Sequence, residues 1–242
     1  MHFSCEDTTM VVKDGKITPG QVVYWMVFML TVPALVLFLS GDWAWPEGWL
    51  FGAWYVIMGT SIMIYLYYEN PALLAERFRR PGTGGEKKWD KYFLLAMGLA
   101  FLAWLVIMPL DAKRYGWTAG FPAWLKALGG IGLLVSLFFL YRAFTDNPFL
   151  SPLIRIQRER GHRVITTGVY SFVRHPMYLG AILMFVGAPM LPGSLCGIVV
   201  GALTSLLLAF RAIGEEKMLV KELEGYADYT GKVKYRLIPH VW

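Results

Sequence analysis

Met177–Phe210 reads MYLGAILMFVGAPMLPGSLCGIVVGALTSLLLAF, 34 residues without one charge, with Pro189, Pro192 and Gly193 near its middle. As a single helix it would be about 51 Å long, well beyond the roughly 30 Å core of a bilayer. The prolines and glycine predict a hairpin of two short helical arms that returns the chain to the side it came from.

Four more apolar runs precede it: Gln21–Leu39, Trp49–Tyr68, Tyr92–Leu110 and Pro122–Phe144. Each has the length of a membrane helix. The first follows a polar tail containing three acids and two lysines, so it reads as a membrane helix and not as a signal peptide. The count is six membrane-embedded helices in an all-α polytopic protein. Composition agrees, with 56% hydrophobic and only 17% charged residues over 242 positions. That balance argues against a soluble enzyme, a disordered chain and a secreted disulfide scaffold. Two cysteines, Cys5 and Cys196, offer neither a disulfide framework nor a cysteine metal site, and no metal is expected.

Lysine and arginine placement sets the expected topology. Nineteen of the 23 fall before the first run, between 69 and 91, between 145 and 176, or from Arg211 onward. Those segments alternate along the chain with loop 40–48 and the hairpin turn, which have none, and loop 111–121, which has two. The positive-inside rule then predicts both termini in the cytoplasm. Trp43, Trp45, Trp49, Trp117 and Trp124 gather on the sparsely charged side, as interfacial anchors do. With net charge +6, membrane lipid is the expected partner and nucleic acid is not.

Two exits on the basic side look alike, Glu69-Asn70-Pro71 and Asp146-Asn147-Pro148. Asparagine before proline suits a helix start. Each leads into a basic amphipathic stretch, with Leu73, Leu74 and Phe78 in one and Leu153, Ile154 and Ile156 in the other. Short surface helices are expected at both, read as plain punctuation or as an internal duplication. Pro81–Gly85, Pro-Gly-Thr-Gly-Gly, reads as a flexible loop and lacks the lysine and spacing of a phosphate-binding loop. No Gly-x-Gly-x-x-Gly follows a strand, so a soluble dinucleotide-binding domain is absent from the reading.

Chemistry is then expected where polar groups meet the inner face. The hairpin brings Arg174 and His175 at its start to the depth of Arg211, Glu215 and Glu216 at its end. Ionisable groups at that depth mark a functional site or, equally on this reading, a charged belt at the headgroups with Arg211 and Glu215 paired one turn apart. Gly180, Gly187 and Gly201, with Ala181 and Ala202, keep the arms slim, for a lateral portal into lipid or for ordinary helix packing.

Gly168-x-Tyr170, Arg174-His175-Pro176-x-Tyr178-x-Gly180, Arg211 with Glu215-Glu216, Tyr226, Tyr229 and Arg236-Leu237-Ile238-Pro239 together resemble the isoprenylcysteine carboxyl methyltransferase family, to which phospholipid methyltransferases are similar. The resemblance covers 168–242; the first 167 residues match only in being hydrophobic. It implies one integral membrane domain, in which a variable helical region, 1–167, precedes a cofactor core, 168–242. It implies S-adenosylmethionine as cofactor and a lipophilic acceptor, methylated at the inner membrane face. Gly168, Tyr170, Arg174, His175, Tyr178, Gly180 and Glu215 are the expected cofactor residues. The chemistry of each suits that ligand: glycines for close backbone approach, Arg174 and His175 toward its carboxylate, Tyr170 and Tyr178 toward adenine or sulfonium, a carboxylate toward the ammonium or ribose. Arg211 and Glu216 are the expected catalytic pair at the acceptor end, Arg211 orienting an anionic acceptor or Glu216 taking a proton from a neutral one.

Two other readings compete. Sterol reductases, which use a nicotinamide cofactor, share a related Arg-His-Pro-x-Tyr-x-Gly element, but here Glu215-Glu216 and Glu224–Tyr229 replace the C-terminal block expected of them. A six-helix transporter would place ionisable groups near the midplane, whereas the second, third and fifth runs contain none.

Overall fold

A computed structural model describes residues 18–78, 87–239 and 241–242. The expected loop Pro81–Gly85 and the N-terminal tail lie outside the described residues. Eight α-helices are described: α1 Pro19–Ser40, α2 Pro46–Glu69, α3 Pro71–Arg77, α4 Lys88–Pro109, α5 Ala123–Asp146, α6 Pro176–Met190, α7 Leu195–Glu222 and α8 Tyr226–Lys232. Five of them are long and apolar enough to cross a membrane, α4 continuing to Arg114 through a wider π turn, and α6 is a shorter apolar helix. Large apolar side chains such as Leu30, Ile57, Leu95, Leu134 and Leu203 stand exposed around the bundle, as they do where lipid is the solvent. The chain is an all-α integral membrane protein.

Local chemistry sets the ends. Thr18 caps α1 reciprocally with Gln21: the Gln21 N–H donates to Thr18 Oγ1 at 3.3 Å, and the Thr18 N–H donates to Gln21 Oε1 at 2.9 Å. Asn70 Oδ1 accepts from the Leu73 N–H at 3.0 Å, and Pro71 opens α3 as expected. At the matching signal Asn147 Oδ1 accepts from the Phe149 N–H at 2.8 Å, but no helix follows. This corrects the expectation of a second surface helix. Leu153 and Ile154 are instead buried in an extended segment. Tertiary hydrogen bonds hold it there: the Ile154 carbonyl accepts from the Lys87 N–H at 3.3 Å, and its own N–H donates to Asp90 at 2.9 Å.

The hairpin forms with unequal arms of 15 and 28 residues, about 22 Å and 42 Å long. Its turn is tied by Asp111, which accepts from Ser194 Oγ at 2.7 Å, the Cys196 N–H at 3.0 Å and the Thr118 N–H at 2.8 Å. The short arm α6 packs most extensively on α5 and α7. Gly180 gives its carbonyl to Ser136 Oγ at 2.7 Å, and a Cβ there would come within 2.9 Å of Leu140. A Cβ at Gly201 would stand 2.0 Å from the Phe185 carbonyl oxygen, which also accepts from Trp104 Nε1 at 2.9 Å. These glycines therefore serve close helix packing, not a gap in the hairpin wall.

The chain beyond α8 returns to the start of the hairpin. The Arg174 N–H donates to the Tyr235 carbonyl at 3.0 Å and the His175 N–H to the Arg236 carbonyl at 2.9 Å. Thus the ends of α2, α5 and α7, the start of α6 and the C-terminal segment meet at one basic end of the bundle.

Candidate active site

Two cavities meet at that end. The first is a partly open polar cleft. Its walls come from segment 147–165, the 3-10 turn Gly168–Ser171, the first turn of α6, the last turns of α7, and α8. Tyr170, Arg174, His175, Tyr178 and Glu215 all line it, so five of the seven expected cofactor residues converge there. Asn147, His162 and Tyr226 line it too. The cleft therefore begins upstream of Gly168, in a stretch whose sequence reads as an amphipathic surface segment and not as part of a site.

His175 and Tyr178 stack with ring centres 5.4 Å apart and planes 4° from parallel. Burial lowers the His175 pKa despite the opposing fields of Glu215 and Glu216, which keeps the imidazole neutral at physiological pH. Among the described residues His175 Nε2 is buried without a hydrogen-bond partner, and so is the Tyr226 hydroxyl. Two orphaned polar atoms in one cleft fit a polar ligand that would satisfy them. Burial also pushes the Tyr170 and Tyr226 phenols well above their usual range, so both remain neutral hydroxyls.

The second cavity is larger and apolar. It lies among α1 to α7, and six methionines line it: Met29, Met58, Met63, Met97, Met177 and Met184. Flexible thioethers suit an irregular hydrocarbon ligand. Among the described residues only Arg77 and Arg211 bring charge to it. Met177 and Tyr178 line both cavities, so one side-chain layer separates the polar cleft from the apolar one.

Tyr178 also joins their polar groups. Its hydroxyl donates to Glu215 Oε2 at 2.6 Å on the cleft side and accepts from Arg211 Nη1 at 3.1 Å. Arg211 in turn holds Asp90 through Nε at 3.0 Å and Nη2 at 3.1 Å, and donates to the Pro152 carbonyl at 2.7 Å. Sequence reasoning missed Asp90. Between Lys88 and Lys91 in a first helical turn, it reads as a solvated acid that complements the helix dipole.

Three expected site residues stand elsewhere. Glu216 lines neither cavity; its two oxygens are occupied by Arg174 Nε and Arg236 Nε. Arg174 gives its Nη1 to the Val233 and Lys234 carbonyls at 2.6 and 2.8 Å. That charge cluster fastens the C-terminal segment to the hairpin. Gly168 has φ +61°, and a Cβ there would meet Asp146 Oδ2 at 2.0 Å. The Asp146 carboxylate accepts from the Val169 N–H at 2.9 Å, so the close approach at Gly168 is to α5 and not to a ligand. Gly180 faces α5 as well.

The profile of the phospholipid methyltransferase family matches residues 125–225, from α5 to the start of α8. Protein-S-isoprenylcysteine O-methyltransferase B of Arabidopsis thaliana is 30% identical over 153 residues, covering 60% of this chain and 72% of that protein. A Delta(14)-sterol reductase of Mus musculus is 31% identical over 106 residues, but these are only 25% of its length. The solved structure of the eukaryotic intramembrane Ras methyltransferase ICMT shares the fold, with a TM-score of 0.57 and 21% identity, covering 90% of this chain and 75% of that one. The chain belongs to the isoprenylcysteine carboxyl methyltransferase family of membrane proteins.

Proposed function

We propose that this protein transfers a methyl group from S-adenosylmethionine to a lipophilic acceptor, at the basic end of the bundle facing the cytoplasm. The observation that carries the reading is the shared wall of Met177 and Tyr178: a polar cleft and a hydrocarbon-lined cavity meet across one layer of side chains. An enzyme joining a charged cofactor from water to an acceptor from lipid needs that juxtaposition.

In the cleft His175 Nε2 and the Tyr226 hydroxyl would bind the cofactor's polar groups, and Glu215 its ammonium or ribose hydroxyls. The cofactor, when bound, supplies a methyl group activated on a sulfonium. The stacked His175–Tyr178 pair presents ring faces to that cation. Arg211 stands on the acceptor side, fixed by Asp90 and Tyr178, so the residues position two ligands and exclude water between them. The cofactor core runs from Asn147 through Tyr229, with the C-terminal segment as its clamp.

Equilibrium binding of labelled S-adenosylmethionine and labelled NADPH to the detergent-purified protein tests the class. Saturable binding of the first, with label then moving into a lipid-extractable product, is expected. Saturable binding of NADPH alone would overturn the assignment and favour a reductase.

A further inference from the structure

Between Asp146 and Arg158 the chain forms neither helix nor strand, yet Phe149, Ser151, Leu153 and Arg155 in this stretch line the polar cleft. A wall whose backbone joins no helix or sheet keeps one shape only where other groups hold it. Two carboxylates do so. Asp90 on α4 accepts from the Ile154 N–H at 2.9 Å. Glu76 on α3 takes the residues on either side: its Oε1 accepts from Ser151 Oγ at 2.9 Å and from Arg155 Nε at 2.8 Å, and its Oε2 from Arg155 Nη2 at 2.7 Å. Glu76 and Arg155 are both buried in this two-pronged pair. Arg155 also donates to Glu159 at 2.6 Å, but that carboxylate is 55% exposed and water screens it. Glu76 itself lines neither cavity. Its helix is fixed from α2 and α5, where Leu73 and Leu74 are buried against Leu66 and Phe144.

We propose that Glu76 is a positioning residue for the polar cleft: from a fixed helix it sets where Ser151 and Arg155 stand, and with them the irregular wall against which the cofactor binds. The identity of that cofactor rests on the methyl-transfer reading above; the anchor rests on the geometry of the wall alone. The geometry requires a carboxylate at this position. Ser151 Oγ, Arg155 Nε and Arg155 Nη2 are all donors, and both oxygens of Glu76 are used in accepting from them. A glutamine offers one acceptor oxygen and turns an NH2 donor toward an Arg155 N–H, and it leaves the buried guanidinium without its charge partner. The wall must then shift to relieve that contact. The apolar cavity keeps its shape, because Leu74 and Phe78 reach it from the packed face of α3.

The test pairs equilibrium binding of labelled S-adenosylmethionine with amide hydrogen exchange of the ligand-free protein in detergent. Glu76→Gln should weaken cofactor binding about tenfold or more and speed exchange in peptides covering 149–157 by a similar factor, while α5 and α7 exchange as in wild type. Glu76→Asp keeps the charge and should return both readouts to within about threefold of wild type. Ser151→Ala keeps both charges and removes one attachment, so it should show the Glu76→Gln pattern at about threefold, and it carries the test if Glu76→Gln does not fold. Wild-type cofactor affinity in a folded Glu76→Gln protein, or in Ser151→Ala where the former does not fold, would overturn the proposal. So would exchange that rises equally in the wall and in α5 and α7, the signature of lost stability alone. If the wild type binds no S-adenosylmethionine, faster exchange confined to the wall would uphold the anchor and overturn the enzyme reading.

Discussion

Asp90 and Arg211 face each other across α4 and α7 in a two-pronged pair, Nε to Oδ1 at 3.0 Å and Nη2 to Oδ2 at 3.1 Å. Asp90 is 0% exposed, and its Oδ2 also accepts from the Ile154 N–H. One carboxylate therefore fixes both a guanidinium on the cavity wall and the extended segment that leads to the cleft. From that pair the hydrogen bonds run on through the Tyr178 hydroxyl to Glu215, so the apolar cavity and the polar cleft share one polar chain.

Replacing Asp90 by asparagine should separate positioning from binding. The substitution keeps volume but leaves the Arg211 charge buried without its partner, a loss of about 3–5 kcal/mol for such pairs. The melting temperature should fall, and turnover per folded molecule should fall more than cofactor affinity. Asp90→Asn with Arg211→Met removes both charges and should recover much of the stability while turnover stays low. Restored turnover in the double variant would show that neither group orients the acceptor.

Glu216→Gln tests the clamp. With the carboxylate gone, Arg174 and Arg236 are left close together at a buried site, and the C-terminal segment loses its anchor. Stability should drop by about 3 kcal/mol, and limited proteolysis should cut first between Val233 and Trp242. Unchanged stability and proteolysis with a large fall in turnover alone would restore Glu216 to a catalytic role.

Much of this was legible from the chain, and the reasons for the rest are physical. Apolar runs and their breaks are local, so α1, α2, α4 and α5 fall within a few residues of the spans read from sequence, and the break after Met190 falls where Pro189 to Gly193 require it; α7 instead runs past Phe210 to Glu222. The cluster around Arg174, His175 and Tyr178 was legible because a hairpin must return its end to its start. Glycine roles were not. Gly168 and Gly180 are each set by one partner on α5, Asp146 and Leu140, more than twenty residues away in sequence. The expected helix after Pro148 fails for the same reason, since buried hydrogen bonds from Asp90 and Lys87 outweigh a local helix signal. Which of Glu215 and Glu216 faces the cleft turns on about 100° of helix rotation.

His162 gives a pH signature. It stacks on Phe149 at 4.7 Å, and its Nδ1 accepts from the Gln157 N–H at 3.3 Å. Burial first, and the nearby Arg160 charge second, lower its pKa from 6.5 to about 4. The unfolded histidine binds its proton near 6.5 and the folded one near 4, so unfolding takes up a proton in that window. Its contribution to stability is therefore full above pH 6.5 and falls as pH drops toward 4, by less than about 1.4 kcal/mol per unit. His162→Gln should flatten that stretch of the curve in thermal scans across the window. A curve identical to wild type would mean the ring is already protonated in the fold.

Tyr226→Phe makes the sharpest test of the cleft. The Tyr226 hydroxyl is buried and has no hydrogen-bond partner among the described residues, a condition that costs about 1–3 kcal/mol. Removing it should leave the ligand-free protein as stable as wild type or more so, although Tyr226 packs in the same apolar cluster as Met218 and Leu223 and keeps that packing as phenylalanine. The bound state should lose what the hydroxyl gave to the ligand, about 1–2 kcal/mol or roughly a 5- to 30-fold weaker affinity for S-adenosylmethionine. Thermal scans with and without cofactor read both at once: the ligand-free midpoint holds or rises, and the upward shift on adding cofactor shrinks. A lower ligand-free midpoint with an undiminished cofactor shift would place the hydroxyl's partner within the protein and remove Tyr226 from the binding site.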